Sequence, residues 1–271
     1  MLAICDVDSL IYRVGFTVEY TYYLLYLDGT EHEFRYKKDL TNWLLERELS
    51  YEDVEVVPCV EVGECEQAEG AIKFHVKSVL EEVGATRAEL YISGNSDLNF
   101  RKQLYSQYKA NRTAPKPVHF DAIRQVLLKQ LGAKVVEGIE PDDKVCMRAW
   151  DCIENGYNFV VISEDKDLLQ IPGKHYTPST KKMFEVGNVE ADKYFYTQLL
   201  VGDTSDNIPG VPGIGKATAG KLLVNCTKES EMYEVCKETW LNKGRTIDDM
   251  HLSAKLLYLL RHESDEWTPP T

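Results

Sequence analysis

The chain has 271 residues, 44% of them hydrophobic and 28% charged, with 44 acids against 31 bases and a formal net charge of −13. This length and apolar fraction exclude a disordered or fibrous chain and fit one large α/β domain, or a core with an appendage. No apolar run approaches the ~20 residues of a membrane helix, the N-terminus lacks the pattern of a secretory signal, and seven cysteines without a CxxC pair read as reduced thiols.

Leu2–Cys5 is a short apolar strand ending in Asp6-Val7-Asp8. Tyr20–Tyr36 alternates around Asp28-Gly29, the signature of a β-hairpin. Ala68–Val83 has helical spacing and stops before Gly84; Glu89–Ser93 is a buried strand. Phe120–Leu131 is a helix closed by Gly132, with the strand Lys134–Glu137 behind it. Pro141 opens a helix running to about Asn155, and Asn158–Ile162 is the next buried strand. From about Asp192 the chain reads as mostly helical, apart from a Gly- and Pro-rich turn at 207–215. Strands alternating with helices predict a mainly parallel sheet covered on both faces over residues 1–190, with a helical region over 191–271.

The charge is unevenly placed. Residues 101–134 hold eight bases against the single acid Asp121, whereas residues 19–69 hold fourteen acids against four bases. Charge concentrated against the overall sign is what a phosphate-binding strip requires. The acidic stretch is most simply a solvated face.

The remaining acids share an address. Asp6 and Asp8 follow the first strand, and Asp97 lies just past the strand ending at Ser93. Glu140, Asp142 and Asp143 open a helix after the next strand, and Asp165 and Asp167 follow the strand ending at Ile162. In an open α/β sheet the functional cleft lies beyond the carboxyl ends of the strands, so these acids, with Asp203 and Asp206, are expected to converge. Each group alone has an innocent reading, as a helix-end complement or a turn former; acids at every strand end together do not. A cluster of like charges requires cations. Oxygen ligands without His or Cys select hard ions, Mg²⁺ or Mn²⁺, and two such ions suit displacement at a phosphodiester. Gly210–Ala217 fits GxxxxGK but has Ala217 where a nucleotide-binding loop needs Ser or Thr, and reads as a tight turn into a helix.

Five segments in order resemble the metal-dependent 5′ nucleases, a family including the 5′-nuclease domain of bacterial DNA polymerase I, flap endonucleases and phage 5′→3′ exonucleases. They are Asp6–Arg13; Asn99-Phe100-Arg101 through Tyr108-Lys109-Ala110-Asn111-Arg112; Gly138–Asp143; Ser163–Gln170; and Gly202–Gly210 running into Gly213-Ile214-Gly215-Lys216. The resemblance implies an α/β, PIN-like nuclease core with a helix–three-turn–helix region, and phosphodiester hydrolysis near 5′ ends of duplex DNA or of RNA/DNA hybrids. It implies metal ligation by Asp6, Glu140, Asp142, Asp143, Asp165, Asp167, Asp203 and Asp206, with Asp8 and Asp97 as further candidates. Catalysis is assigned to Lys109 and Arg112 with Asp6, Asp142 and Asp165. DNA binding is assigned to Arg13, Arg101, Tyr108, Lys109, Arg112, Gly213, Gly215, Lys216 and Lys221. The turn is expected to hold K⁺ and to grip the duplex away from the cut.

Three departures stand out. The family has an Asp seven residues before the Arg of its Phe-Arg pair, where this chain has Gly94; Asp97 is the expected substitute. Only 25 residues separate Arg112 from Gly138, which implies a short arch and favours exonuclease over flap endonuclease. The family motifs leave the acidic segment 19–66 unexplained, and it is a candidate surface for a protein partner. The expectation is a stand-alone, monomeric, cytoplasmic enzyme of a bacterial cell or phage-infected host, with no membrane partner. A PIN-type ribonuclease, which would lack the 202–224 hairpin, and a non-catalytic DNA-binding protein are the other readings.

Overall fold

Four successive buried residues, Leu2 to Cys5, belong to a strand covered on both faces. In the computed structural model, which describes residues 1–270, this is β1 (Leu2–Asp6). There follow α1 (Asp8–Thr17), β2 (Glu19–Leu27), β3 (Thr30–Phe34), α2 (Lys37–Leu45), β4 (Glu55–Val62), α3 (Cys65–Glu82) and β5 (Arg87–Ser93). Then come α4 (Phe100–Leu104), α5 (Phe120–Lys129), β6 (Lys134–Val136), α6 (Pro141–Glu154), β7 (Phe159–Ile162), β8 (Gly173–Thr177) and β9 (Lys182–Val186). The last elements are α7 (Asn188–Val201), the two-residue pair β10 (Gly202–Asp203) and β11 (Ile208–Pro209), α8 (Lys216–Leu223), α9 (Glu229–Asn242) and α10 (Ile247–Leu257).

By packing, the chain divides into two units. The larger takes Met1–Ser9, Val76–Pro115 and the chain from Gly132 onward. Its six-stranded sheet has the order β6-β5-β1-β7-β8-β9, parallel except for the antiparallel pair β8–β9 at one edge. Ile4, Val161 and Tyr91 pack against Val145 and Ala149 of α6 in the core on one side of this sheet. A second core joins helices α7 to α10 around Leu199, Trp240 and Met250. The sheet, the helix alternation and the C-terminal helices agree with the sequence; the β8–β9 pair is an addition.

The smaller unit, Leu10–His75 with Lys116–Leu131, accounts for the acidic segment. It is a built antiparallel sheet, β3-β2-β4, and not a loop. The expected hairpin turns at Asp28 (φ +49) and Gly29 (φ +78), the paired left-handed residues of a two-residue turn that matches strand twist. Leu25 on the sheet and Leu40 and Leu44 on α2 bury its core, at about 1.5–3 kcal/mol each. Within this unit the Val118 N–H donates to Glu19 (2.6 Å), and His119 Nε2 lies 2.7 Å from the Gly63 carbonyl. Among the described residues no helix is long and apolar enough to cross a membrane, and all seven cysteines are free.

Candidate active site

Each acid is delivered by the end of a strand or the start of a helix. Asp6 closes β1, Glu140 and Asp142 open α6 after β6, and Asp165 and Asp167 follow β7. Pro141 starts α6 without wasting an N–H, and Glu140 sits at its cap. Helix α7 ends at Gly202 (φ +76) and turns into Asp203 and Asp206. Glycine is required there, because a Cβ would come within 2.4 Å of the Gly210 nitrogen. These deliveries bring carboxylate oxygens of Asp167, Asp203 and Asp206 within 4.8 Å of one another.

Close ion pairs within this cluster fall on Glu140 and Asp206. Glu140 accepts from Lys109, from Asn99 Nδ2 (3.0 Å) and from the Tyr108 hydroxyl (3.0 Å). Asp206 pairs with Arg112 and lies 3.4 Å from Lys109 Nζ. Burial opposes ionisation of Glu140, but Lys109 and Arg101 prevail and hold it below the usual carboxylate range. The other acids face one another. Burial, then Asp8 and Asp165, push Asp6 up to about 8. Burial, with Asp165, Asp203 and Asp206, pushes Asp167 up to about 7. Asp142 is raised by burial and by Asp6 and Asp165, and its Oδ1 is buried with no hydrogen-bond partner. An orphaned buried oxygen among carboxylates, with only oxygen donors around it, fits a hard divalent cation.

Beside the acids, Asp165, Lys166, Asp167, Tyr194, Asp203 and Lys216 line a cavity of about 610 Å³. A larger groove of about 800 Å³ along β6 and Glu263–Trp267 holds none of the proposed metal ligands, so its size says nothing about the chemistry. Lys216, expected to act away from the cut, is thus on the wall of the acid cavity. Lys221 is exposed one turn further along α8, and Gly213 (φ +79) and Gly215 are exposed in the preceding turn. Arg13 is exposed on α1, in the smaller unit.

Four sequence assignments are corrected by burial and bonding. Asp143 is 0% exposed; Arg101 holds both its oxygens (2.6 and 2.8 Å), and the Glu140 and Leu260 N–H groups complete its shell, so no lone pair remains for a metal. Arg101 is 1% exposed, and its Nε and Nη2 also donate to the Leu256 and Tyr258 carbonyls, so it cannot touch DNA. Tyr108 is equally buried, and its hydroxyl lies between Glu140 and Asp206 (3.0 and 3.2 Å) as a spacer, not a DNA contact. Asp97 is exposed and pairs with Lys102 (3.2 Å). It does not replace the acid absent at 94. That space belongs to Glu137, whose carboxylate carbon lies 2.3 Å from where a Cβ on Gly94 would be. Asp8 accepts the Ser93 N–H (3.1 Å) and hydroxyl, tying the start of α1 to the end of β5. Asn99 and Gln170 lay within the motif segments but were given no role there, and Glu137, Tyr194 and Gln198 were not singled out by the sequence.

Comparison with known proteins places this architecture. Residues 65–196 match the family described as 5′-3′ exonuclease, N-terminal resolvase-like domain, and residues 189–263 match the 5′-3′ exonuclease C-terminal SAM fold. DNA polymerase I of Rhizobium leguminosarum is 36% identical over 156 residues, 52% of this chain and 15% of the polymerase. A 5′-3′ exonuclease of Buchnera aphidicola (Schizaphis graminum) is 28% identical over 171 residues, 58% of this chain and 60% of that protein. This chain therefore spans only part of each of these relatives. Among solved structures, T5 5′-exonuclease with bound zinc superimposes with a TM-score of 0.61 at 12% identity, over 95% of this chain and 89% of that one. A T5 flap endonuclease in a pseudo-enzyme–product complex with DNA and metal ions gives 0.60 at 13% identity, over 96% and 88%. At such identity the likeness is one of fold. The two domain matches, contiguous and in order from residue 65 to 263, make this chain a member of the 5′-3′ exonuclease family.

Proposed function

We propose that the chain is a divalent-metal-dependent 5′→3′ exonuclease, hydrolysing phosphodiester bonds near the 5′ ends of duplex DNA. The observation that carries this reading is the split in the cluster. Asp6, Asp142 and Asp167 are buried among other carboxylates that disfavour their ionisation, while Lys109 and Arg112 pair with Glu140 and Asp206. Asp6, Glu140, Asp142, Asp165, Asp167, Asp203 and Asp206 would hold two Mg²⁺ or Mn²⁺ ions. When bound, such ions supply Lewis acidity at the phosphate and lower the pKa of a bound water.

The protein's own groups do the rest. Tyr108 and Asn99 hold Glu140, and Lys109 and Arg112 offset charge growing on the scissile phosphate. Residues 1–190 act as the nuclease core and 191–271 as a DNA-binding region. There Lys216 and Lys221 meet backbone phosphates, Gly213 and Gly215 expose N–H groups, and the turn's carbonyls suit K⁺. Arg13 steers the strand. The acidic sheet of the smaller unit, which repels phosphate, is left for a protein partner. The enzyme would work as a monomer in the cytoplasm of a bacterial cell or phage-infected host.

The test is digestion of end-labelled blunt, nicked, 5′-flap and RNA/DNA hybrid substrates with Mg²⁺, with Asp165→Asn as control. Short products from 5′ ends, absent with EDTA and with the variant, are expected. Release of intact flaps would make the enzyme a flap endonuclease instead. Tight duplex binding without cleavage of any substrate would overturn the catalytic reading.

A further inference from the structure

Asp167 and Asp203 belong to segments 36 positions apart in the sequence, yet a metal site needs their spacing fixed to a few tenths of an ångström. Two buried glutamines lie where that spacing is set. Asp167 and Gln170 stand at the two ends of a single 3₁₀ turn, Asp167–Gln170, where residues three apart eclipse. Gln198 lies on α7, just over one turn before Asp203. Both amides are buried, at 7% and 9% exposure.

Their orientation is dictated by backbone groups that cannot exchange roles. The Leu259 N–H must donate, so the atom of Gln170 facing it (3.3 Å) is the oxygen. The Leu257 carbonyl must accept, so the atom facing it (2.8 Å) is Nε2. The second hydrogen of that nitrogen goes to Gln198 Oε1 (2.9 Å), which leaves Gln198 Nε2 to donate to Asp167 Oδ1 (2.7 Å). Each amide is thus locked by the one before it, back to the end of α10.

We infer that Gln170 and Gln198 form a positioning relay that sets the Asp167 carboxylate against Asp203 for metal binding. The inference rests on the metal-site reading above. Outer hydrogen bonds of this kind typically govern metal affinity by about 10–100-fold.

The two glutamines make separable predictions. Gln170 makes three buried bonds and touches no acid of the cluster, whereas Gln198 makes two, one of them to Asp167. The full chain and the variants Gln198→Met and Gln170→Met are to be titrated with Mn²⁺, free Mn²⁺ being read by electron paramagnetic resonance. Thermal midpoints are measured in parallel in EDTA. Gln198→Met is expected to weaken Mn²⁺ binding by about 10-fold or more and Gln170→Met by less, while Gln170→Met lowers the midpoint more. Metal affinity that simply follows the loss of thermal midpoint, or is unchanged in Gln198→Met, would overturn the relay. Wild-type protein that takes up no Mn²⁺ would instead overturn the metal site itself.

Discussion

Arg101 and Asp143 show how far a residue type can mislead about its role. Both belong to motif segments, and a charge string cannot distinguish a ligand from a buried strut. The structure separates them by burial: Asp142 keeps an orphaned oxygen, whereas Asp143 has every lone pair taken. Through Arg101 the pair also ties α6 to the carbonyls of Leu256 and Tyr258. Arg101→Met is therefore expected to cost about 3–5 kcal/mol, because it strands a buried carboxylate. Arg101→Met with Asp143→Leu should recover a large part of that loss in urea unfolding, and a single variant as stable as wild type would contradict the bond pattern. Gly94 was legible as a departure, but its cause lay 43 positions away. Gly94→Asp alone should cost about 0.5–1.5 kcal/mol, since the Glu137 side chain is exposed and its carboxylate can swing aside, losing its bond from the Asn95 N–H (2.9 Å). Adding Glu137→Ala should change little further, because the same bond is already lost; a denaturation midpoint of the double variant well above that of Gly94→Asp would show that Glu137 is held in place.

At the level of elements, the sequence was most informative where burial imposes a simple pattern. The apolar runs of β1, β5 and β7, the Pro141 start of α6 and the Asp28-Gly29 turn all appear where expected. The elements that escaped are α1, α2, β4, α4 and the β8–β9 pair. In β4 and β9 most residues are exposed, so neither the two-residue nor the helical period stands out. Convergence of the acids was legible because strand ends share one side of a parallel sheet. Which acids the lysine and arginines neutralise was not, since that depends on the path of residues 101–112 across the site. The junction of α7 with β10 is the element most exposed to a small change. Gly202→Ala should cost at least ~2 kcal/mol from its positive φ and its clash with Gly210. It should also weaken Mn²⁺ binding, because Asp203 is the next residue. Full metal affinity in a folded Gly202→Ala protein would show that Asp203 is not a ligand.

Across the whole molecule, a net charge of −13 with acids gathered at one site makes stability depend on pH and on divalent ions together. Asp6 at about 8 and Asp167 at about 7 lie above an unfolded carboxyl near 4, and Asp142 shifts the same way. With folded-state values raised, the native protein binds more protons than the unfolded chain, so stability falls as pH rises through this range. Buried His175 and partly buried His251 are shifted downward, mainly by burial, and act in the opposite sense. Their contribution is complete by about pH 7, near the top of the unfolded histidine titration. Between pH 7 and 8 the carboxylates therefore dominate. In EDTA the unfolding free energy is expected to drop by about 1 kcal/mol over that unit, or a few degrees in thermal midpoint. A divalent ion that binds only the folded chain adds about 2.7 kcal/mol at 100 times its Kd. Its binding displaces the shared protons, so Mg²⁺ should raise the midpoint more at pH 8 than at pH 7 and flatten the profile. Differential scanning calorimetry at the two pH values, with EDTA and with Mg²⁺, reads both effects in one experiment. A midpoint in EDTA that does not fall between pH 7 and 8 would mean that the acids are already compensated within the chain, and the case for bound cations would lose its electrostatic basis.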